Sequence, residues 1–260
     1  MSVALHHAVE GPADAPVLLL GNSLGTSLAM WDRVRPLLVD QVRVVGFDHR
    51  GQGASPEPPG PYAIEELGAD VLALLDTLGA QRATYCGVSI GGMVGLWLAA
   101  HAPERVDRLV ACCTSAHLGP PEPWIERARV VREAGSTAPI ADAVVARWVT
   151  PAFAAAHLEV TDELRAMLLA SPPEGYAACC AALARVDLRA SLGGVTAPTL
   201  VVAGTQDEAI PAEHSERIAG GIPGARLVRL EAAHIPMAER PQQVADLILG
   251  HLGLRHRPLG

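Results

Sequence analysis

The stretch Cys86-Gly87-Val88-Ser89-Ile90-Gly91-Gly92 constrains the fold of this chain more than any other. The residues before it, Ala83-Thr84-Tyr85-Cys86, are short, apolar and edged by β-formers, which reads as a buried strand. The run after it, Met93 to His101, is long and apolar enough for a buried helix. A serine with glycine two positions away on either side, at a strand-to-helix turn, is the G-x-S-x-G elbow. The turn holds the serine at a strained backbone angle, so the residues two away must lack bulky side chains. The hydroxyl then projects from the carboxyl end of the sheet, and the helix N-terminus offers free N–H groups to a developing oxyanion. The same glycines also suit a tight turn that does no chemistry, so the rest of the chain has to decide.

The surrounding rhythm is strand, helix, strand, helix. Val3 to Val9 reads as an edge strand, Val17 to Leu20 as a buried one, and Ser27 to Leu38 carries apolar residues at helical spacing. Val42 to Phe47 is a further buried strand, followed by the polar loop Asp48 to Ser55. Ile64 to Leu78 is an amphipathic helix closed by Gly79. Val106 to Cys113 follows the elbow as a strand. From Ala116 to Leu188 no strand is convincing, only helical segments separated by prolines. The β/α alternation returns at Pro198 to Gly204 and Ala225 to Leu230, and a last helix runs from about Pro241 to Leu252 before a frayed end at Arg255 to Gly260.

Short loops between alternating elements predict an α/β fold with a mostly parallel central sheet and helices on both faces. With 260 residues, half of them hydrophobic, the chain suits one such domain with an insertion. Residues 1–115 and 189–260 form the expected core and residues 116–188 an all-α insertion. Its position after the strand that follows the elbow suits a lid over Ser89. The alternative is a structural subdomain that does not touch the site.

A serine at neutral pH is a poor nucleophile and needs a base, which in turn needs an orienting acid. With an elbow of this kind, the acid and then the histidine follow on loops after later strands. The loop after the 200–203 strand reads Gly204-Thr205-Gln206-Asp207-Glu208, and the one after the 227–230 strand reads Glu231-Ala232-Ala233-His234. Asp207 is the candidate acid, with Glu208 its competitor one residue further from the strand end; Asp207 would also suit an Asx turn. His234 is the candidate base, because the other histidines lack this strand-end context. Ser89, Asp207 and His234 occur in the required order and positions. The oxyanion would be held by the backbone N–H groups of Ile90 and of Leu24, in the loop after the first buried strand.

Charge and cysteine content narrow the partners. The formal charge is −8, the twenty basic residues are all arginine, and no basic run occurs. This argues against nucleic acid and anionic membrane as partners, yet leaves room for a small anionic substrate. Five cysteines, four in adjacent pairs, fit neither a disulfide framework nor a zinc pattern, so reduced thiols in a cytoplasmic protein are expected. Met1 to Glu10 does not read as a signal peptide, and no apolar run approaches the ~18 residues of a membrane helix.

Across essentially its whole length the sequence resembles the α/β-hydrolase superfamily. More narrowly it resembles the 3-oxoadipate enol-lactonases. The residues that carry this are Asn22-Ser23-Leu24-Gly25-Thr26 with Met30-Trp31-Asp32, where most of the superfamily has His-Gly at the first two positions. Further matches are Gly60-Pro61-Tyr62, Ala102-Pro103-Glu104-Arg105, Arg147-Trp148-Val149-Thr150-Pro151 and Gly175-Tyr176. The sequence departs from that family at Gln52, usually His, and at Ile90, usually Met. The resemblance implies opening of an enol-lactone ring through an acyl-enzyme, with no metal or cofactor. It also implies a substrate with a free carboxylate, for which Trp124, Arg127, Arg147 and Trp148 are the candidate contacts, although two adjacent helical residues cannot both face one ligand. A broader carboxylesterase, another lactonase or a cofactor-free haloperoxidase-like enzyme would carry the same three residues. A non-catalytic ligand receptor can share the fold.

Overall fold

The apolar runs pair into one seven-stranded sheet, ordered β1-β3-β2-β4-β5-β6-β7. The strands are β1 His7–Glu10, β2 Val17–Gly21, β3 Arg43–Phe47, β4 Ala83–Val88, β5 Val106–Cys112, β6 Thr199–Gly204 and β7 Arg226–Leu230. All neighbours pair in parallel except β1 with β3. A computed structural model describes residues 2–254, so the expectation of a frayed end at 255–260 lies outside the described residues. The central strands β4 and β6 are buried at every residue, whereas the edge strands β1 and β7 are half exposed. Sheets covered on both faces require such apolar central strands.

The order of the strands places the site. The chain runs outward from β2 to β3, then returns past β2 to β4 and continues toward β7. Connections therefore leave β2 and β4 in opposite directions, and the gap this opens at their carboxyl ends is where sheets of this type bind ligands. The loops that meet there begin at Gly21 and at Ser89.

Helix α1 (Ile64–Thr77) and the elbow helix α2 (Ile90–His101) pack on each other. Between β5 and β6 the chain forms α3 Glu122–Ala134, α4 Ala138–Val145, α5 Pro151–Ala156, α6 Leu158–Leu169 and α7 Pro173–Arg185. Pro123, Pro139, Pro151 and Pro173 each sit in a first helical turn, where a missing N–H costs no hydrogen bond. After β6 come α8 Ala212–Gly221, the short α9 Pro236–Glu239 and α10 Pro241–His251. Among the described residues no helix is long and apolar enough to cross a membrane.

Two segments differ from their sequence reading. Residues 27–38 form two separate 3₁₀ turns, Leu28–Trp31 and Arg35–Leu37, rather than one helix. The Leu28 N–H is taken by Asp48 Oδ1 at 2.6 Å, Trp31 Nε1 is tied to Asn22 Oδ1, and Pro36 has no N–H to continue an α-helix. The N-terminal strand begins at His7 rather than Val3. The preceding N–H groups bond to side chains instead: Val3 to Asp70 Oδ1 and His6 to Ser55 Oγ.

His49, just after β3, is buried, neither ring nitrogen has a hydrogen-bond partner among the described residues, and burial pulls its pKa down to about 3. The native state thus holds His49 neutral at pH values where an unfolded chain would protonate it. Its contribution to stability is complete above pH 6.5 and declines as the pH falls from there toward 3. By pH 5 the loss from this one group is about 2 kcal/mol. Denaturant titrations at pH 7 and pH 5 should show a smaller drop for His49→Phe than for the wild type. An equal drop would mean that the buried imidazole plays no part in acid sensitivity.

Candidate active site

Ser89 stands between β4 and α2 at φ 56° and ψ −122°, a conformation that costs a non-glycine residue about 1–3 kcal/mol. The glycines make it attainable. A Cβ on Gly87 would lie 2.3 Å from the Gly91 carbonyl oxygen, and one on Gly91 would lie 2.7 Å from the carbonyl oxygens of Gly21 and Asn22. The turn is fastened on both sides. Ser89 N–H donates to Cys112 O at 3.1 Å, and Ser89 O accepts from Thr114 Oγ1 at 2.6 Å. The Ser89 side chain does not cap α2, so its hydroxyl is not consumed by the helix.

The loop after β2 lies against this turn, held by the Gly91 N–H donating to Asn22 O at 3.1 Å. Asn22 is a hub: its amide donates to Phe47 O at 2.7 Å, and its Oδ1 accepts from Trp31 Nε1 at 3.1 Å. Gln52 Oε1 accepts the Gly25 N–H at 2.7 Å. Among the described residues, the N–H groups of Leu24 and Ile90 donate to no protein acceptor, whereas those next to them, on Gly25 and Gly91, are taken. Two free donors therefore flank the elbow.

Asp207 and His234 meet across the ends of β6 and β7, with His234 Nδ1 2.8 Å from Asp207 Oδ2, both buried. The other oxygen, Oδ1, accepts the N–H groups of Ala209 and Ile210, each at 2.8 Å. The Asx turn and the pairing with histidine are thus both present, one on each oxygen. His234 Nε2 points to the cavity and lies 3.5 Å from Ser23 Oγ. Among the described residues no hydrogen bond joins Ser89 Oγ to His234.

The histidine loop is anchored by Glu239, which sequence reasoning did not single out, and by the Trp148–Thr150 segment, which it noted only as a family match and a candidate contact. Glu239, in α9, accepts the Ala233 N–H at 2.7 Å on one oxygen and Thr150 Oγ1 at 2.7 Å on the other. The Ile235 N–H donates to Trp148 O at 2.8 Å. So the segment from Trp148 to Thr150 is bonded directly to one neighbour of His234, Ile235, and through Glu239 to the other, Ala233. A glutamate four residues from a strand-end loop gives no sequence signal of burial, since glutamates are mostly exposed.

The family model for the α/β hydrolase fold matches residues 16–241. The chain belongs to the α/β hydrolase family. A 3-oxoadipate enol-lactonase of Acinetobacter baylyi is 44% identical over 92% of this hydrolase and 90% of its own length. The crystal structure of the enol-lactonase from Burkholderia xenovorans superposes with a TM-score of 0.93 at 40% identity, covering 96% of each chain. A thermophilic esterase from Thermogutta terrifontis, with malate bound, gives a TM-score of 0.89 at 32% identity over 97% of this chain and 94% of its own.

In this hydrolase, Trp124, Arg127, Arg147 and Trp148 line one cavity together with Ser23, Leu24, Tyr176 and His234. Arg147 and Trp148 both reach it, contrary to the helical constraint expected from sequence. They lie beyond the end of α4, in a turn where adjacent residues need not diverge by 100°. Arg127 stacks over the Trp124 ring at 4.7 Å. Among the described residues neither Arg127 nor Arg147 forms an ion pair with a carboxylate. Burial, and then the positive charge of Arg127, push the Arg147 guanidinium below its ordinary pKa. An anion between the two would relieve that cost. The cavity holds about 70 Å³, little more than the space of two waters.

All five cysteines are free and buried. Burial pushes the thiols of Cys113, Cys179 and Cys180 up, the last to about 12, which leaves them protonated and unreactive.

Proposed function

We propose that this hydrolase opens 3-oxoadipate enol-lactone to 3-oxoadipate through an acyl-enzyme on Ser89. The observation that carries the reading is the pair Arg127 and Arg147, without carboxylate partners, in the cavity that His234 Nε2 faces. They suit an ester that carries its own negative charge. The resemblance to proteins named enol-lactonases supports the same substrate class.

Ser89 Oγ attacks the lactone carbonyl while His234 Nε2 accepts its proton, and Asp207 holds the imidazole with Nδ1–H directed at Oδ2. For this the Ser89–His234 contact must tighten when substrate binds, a common difference between empty and occupied sites. The N–H groups of Leu24 and Ile90 receive the oxyanion, each worth roughly 3–4 kcal/mol in the transition state. The ring C–O bond then breaks, the enol leaves tethered to the acyl group, and water activated by His234 releases the acid. The helices of residues 116–188 serve as the lid, contributing both arginines and the Trp148–Thr150 brace.

Arg127→Gln and Arg147→Gln test the substrate class. Losing one charge-assisted hydrogen bond of about 1.5–3 kcal/mol should raise KM for the anionic lactone roughly 10- to 100-fold. KM for a neutral p-nitrophenyl ester should stay within about threefold, a change of less than 1 kcal/mol. Equal loss on both substrates would place the arginines in lid packing and remove the support for an anionic substrate.

A further inference from the structure

Ser23 replaces the glycine that most of the superfamily carries, and nothing in the reading above uses its side chain. Its backbone is fixed, since Ser23 O accepts both the Thr26 N–H at 3.2 Å and Thr26 Oγ1 at 2.8 Å. Its hydroxyl is left for the cavity. Among the described residues its one hydrogen-bond partner is His234 Nε2, at 3.5 Å, with both residues almost wholly buried. The next residue, Leu24, offers the free N–H assigned to the oxyanion. Ser23 Oγ thus touches the base, and the backbone next to it carries the N–H assigned to the oxyanion.

We propose that the Ser23 hydroxyl is a catalytic proton carrier to the departing ring oxygen, a role that rests on the hydrolase reading of Ser89 and His234. In the attack, Nε2 takes the Ser89 proton and so points its N–H toward the nucleophile. The leaving oxygen of an ester or lactone is a different atom and has to receive that proton as its bond to the acyl carbon breaks. A second hydroxyl in contact with Nε2 bridges the gap. As the ring C–O bond breaks, its electron pair remains on oxygen. The Ser23 O–H proton moves to that oxygen, and the Nε2 proton moves to Ser23 Oγ. Imidazole and serine both end neutral, and the product is the enol of the acyl-enzyme. At 3.5 Å the resting contact is long for a hydrogen bond and would shorten once substrate excludes water.

A proton carrier matters most when the leaving oxygen is basic. The test is kcat/KM for wild type and Ser23→Ala on p-nitrophenyl, phenyl and ethyl acetates and on the enol-lactone. Proton donation to a leaving group is typically worth about 10²- to 10⁴-fold. Ser23→Ala should therefore lose at least about 100-fold on ethyl acetate, an intermediate amount on phenyl acetate and less than about threefold on p-nitrophenyl acetate. Thermal denaturation of Ser23→Ala beside the wild type measures the intact fold. A loss of the same size on every ester would make Ser23 a structural prop of the oxyanion loop, and no loss on any would leave it without a role. Either result overturns the proposal. Ser89→Ala, run in parallel, separates the two readings. If it retains turnover of these esters, the hydrolase reading itself has failed.

Discussion

Ser89→Ala is expected to lower kcat for lactone or ester hydrolysis by about four to six orders of magnitude while leaving the protein folded. The physical reason lies in the elbow, which keeps the Ser89 hydroxyl out of the cap of the helix it precedes. Ser89 is held at φ 56° by the Gly87 and Gly91 approaches, and among the described residues the N–H groups of Leu24 and Ile90 beside it have no protein acceptor. The hydroxyl does not cap the helix, so its removal breaks no structural hydrogen bond. Alanine inherits the same backbone strain, and the melting temperature should move by no more than a few degrees, as for a change within ~1 kcal/mol. Steady-state kinetics with thermal denaturation as control measure both. Turnover within tenfold of wild type in a folded variant would remove Ser89 from the mechanism.

Asp207→Asn should cost nearly as much, about 10⁴-fold in kcat. The replacement keeps an oxygen that can still accept the Ala209 and Ile210 N–H groups, so the turn after β6 survives. What changes is the group facing His234 Nδ1. An amide NH₂ there donates rather than accepts, which forces the imidazole proton onto Nε2. Nε2 can then no longer take a proton from Ser89. Glu208→Ala, one residue away and making no hydrogen bond to His234, should stay within a few-fold of wild type. If Glu208→Ala were the crippling change and Asp207→Asn the mild one, the acid would be misassigned.

Where the sequence was readable, a single residue type was demanded by local geometry. Glycine at 87 and 91 is required by backbones that approach to within 2.3–2.7 Å of where a Cβ would stand, and that demand is visible in any register. The pairing of Asp207 with His234 was readable because each lies in the loop that follows a strand, and such loops converge at one end of a parallel sheet. The unreadable parts rest on side-chain bonds between distant residues. Ser23 meets His234 across 211 positions and Thr150 meets Glu239 across 89, with no periodicity linking them. Residues 27–38 show the same cause from the other side. Their apolar spacing suits a helix, but Asp48 and Asn22 capture Leu28 and Trp31 and leave two short turns instead. Arg147 and Trp148 share one cavity only because α4 stops at Val145, a boundary that the apolar pattern did not mark.

The most direct measurement compares the purified wild-type protein on 3-oxoadipate enol-lactone with its turnover of neutral p-nitrophenyl esters. Arginines in the cavity that His234 also lines, without carboxylate partners among the described residues, predict saturable hydrolysis of the lactone with kcat/KM at least about tenfold above the ester, the ratio that ~1.4 kcal/mol of selective binding gives. A kcat/KM for the neutral ester equal to or above that for the lactone, or no lactone turnover at all, would contradict the account.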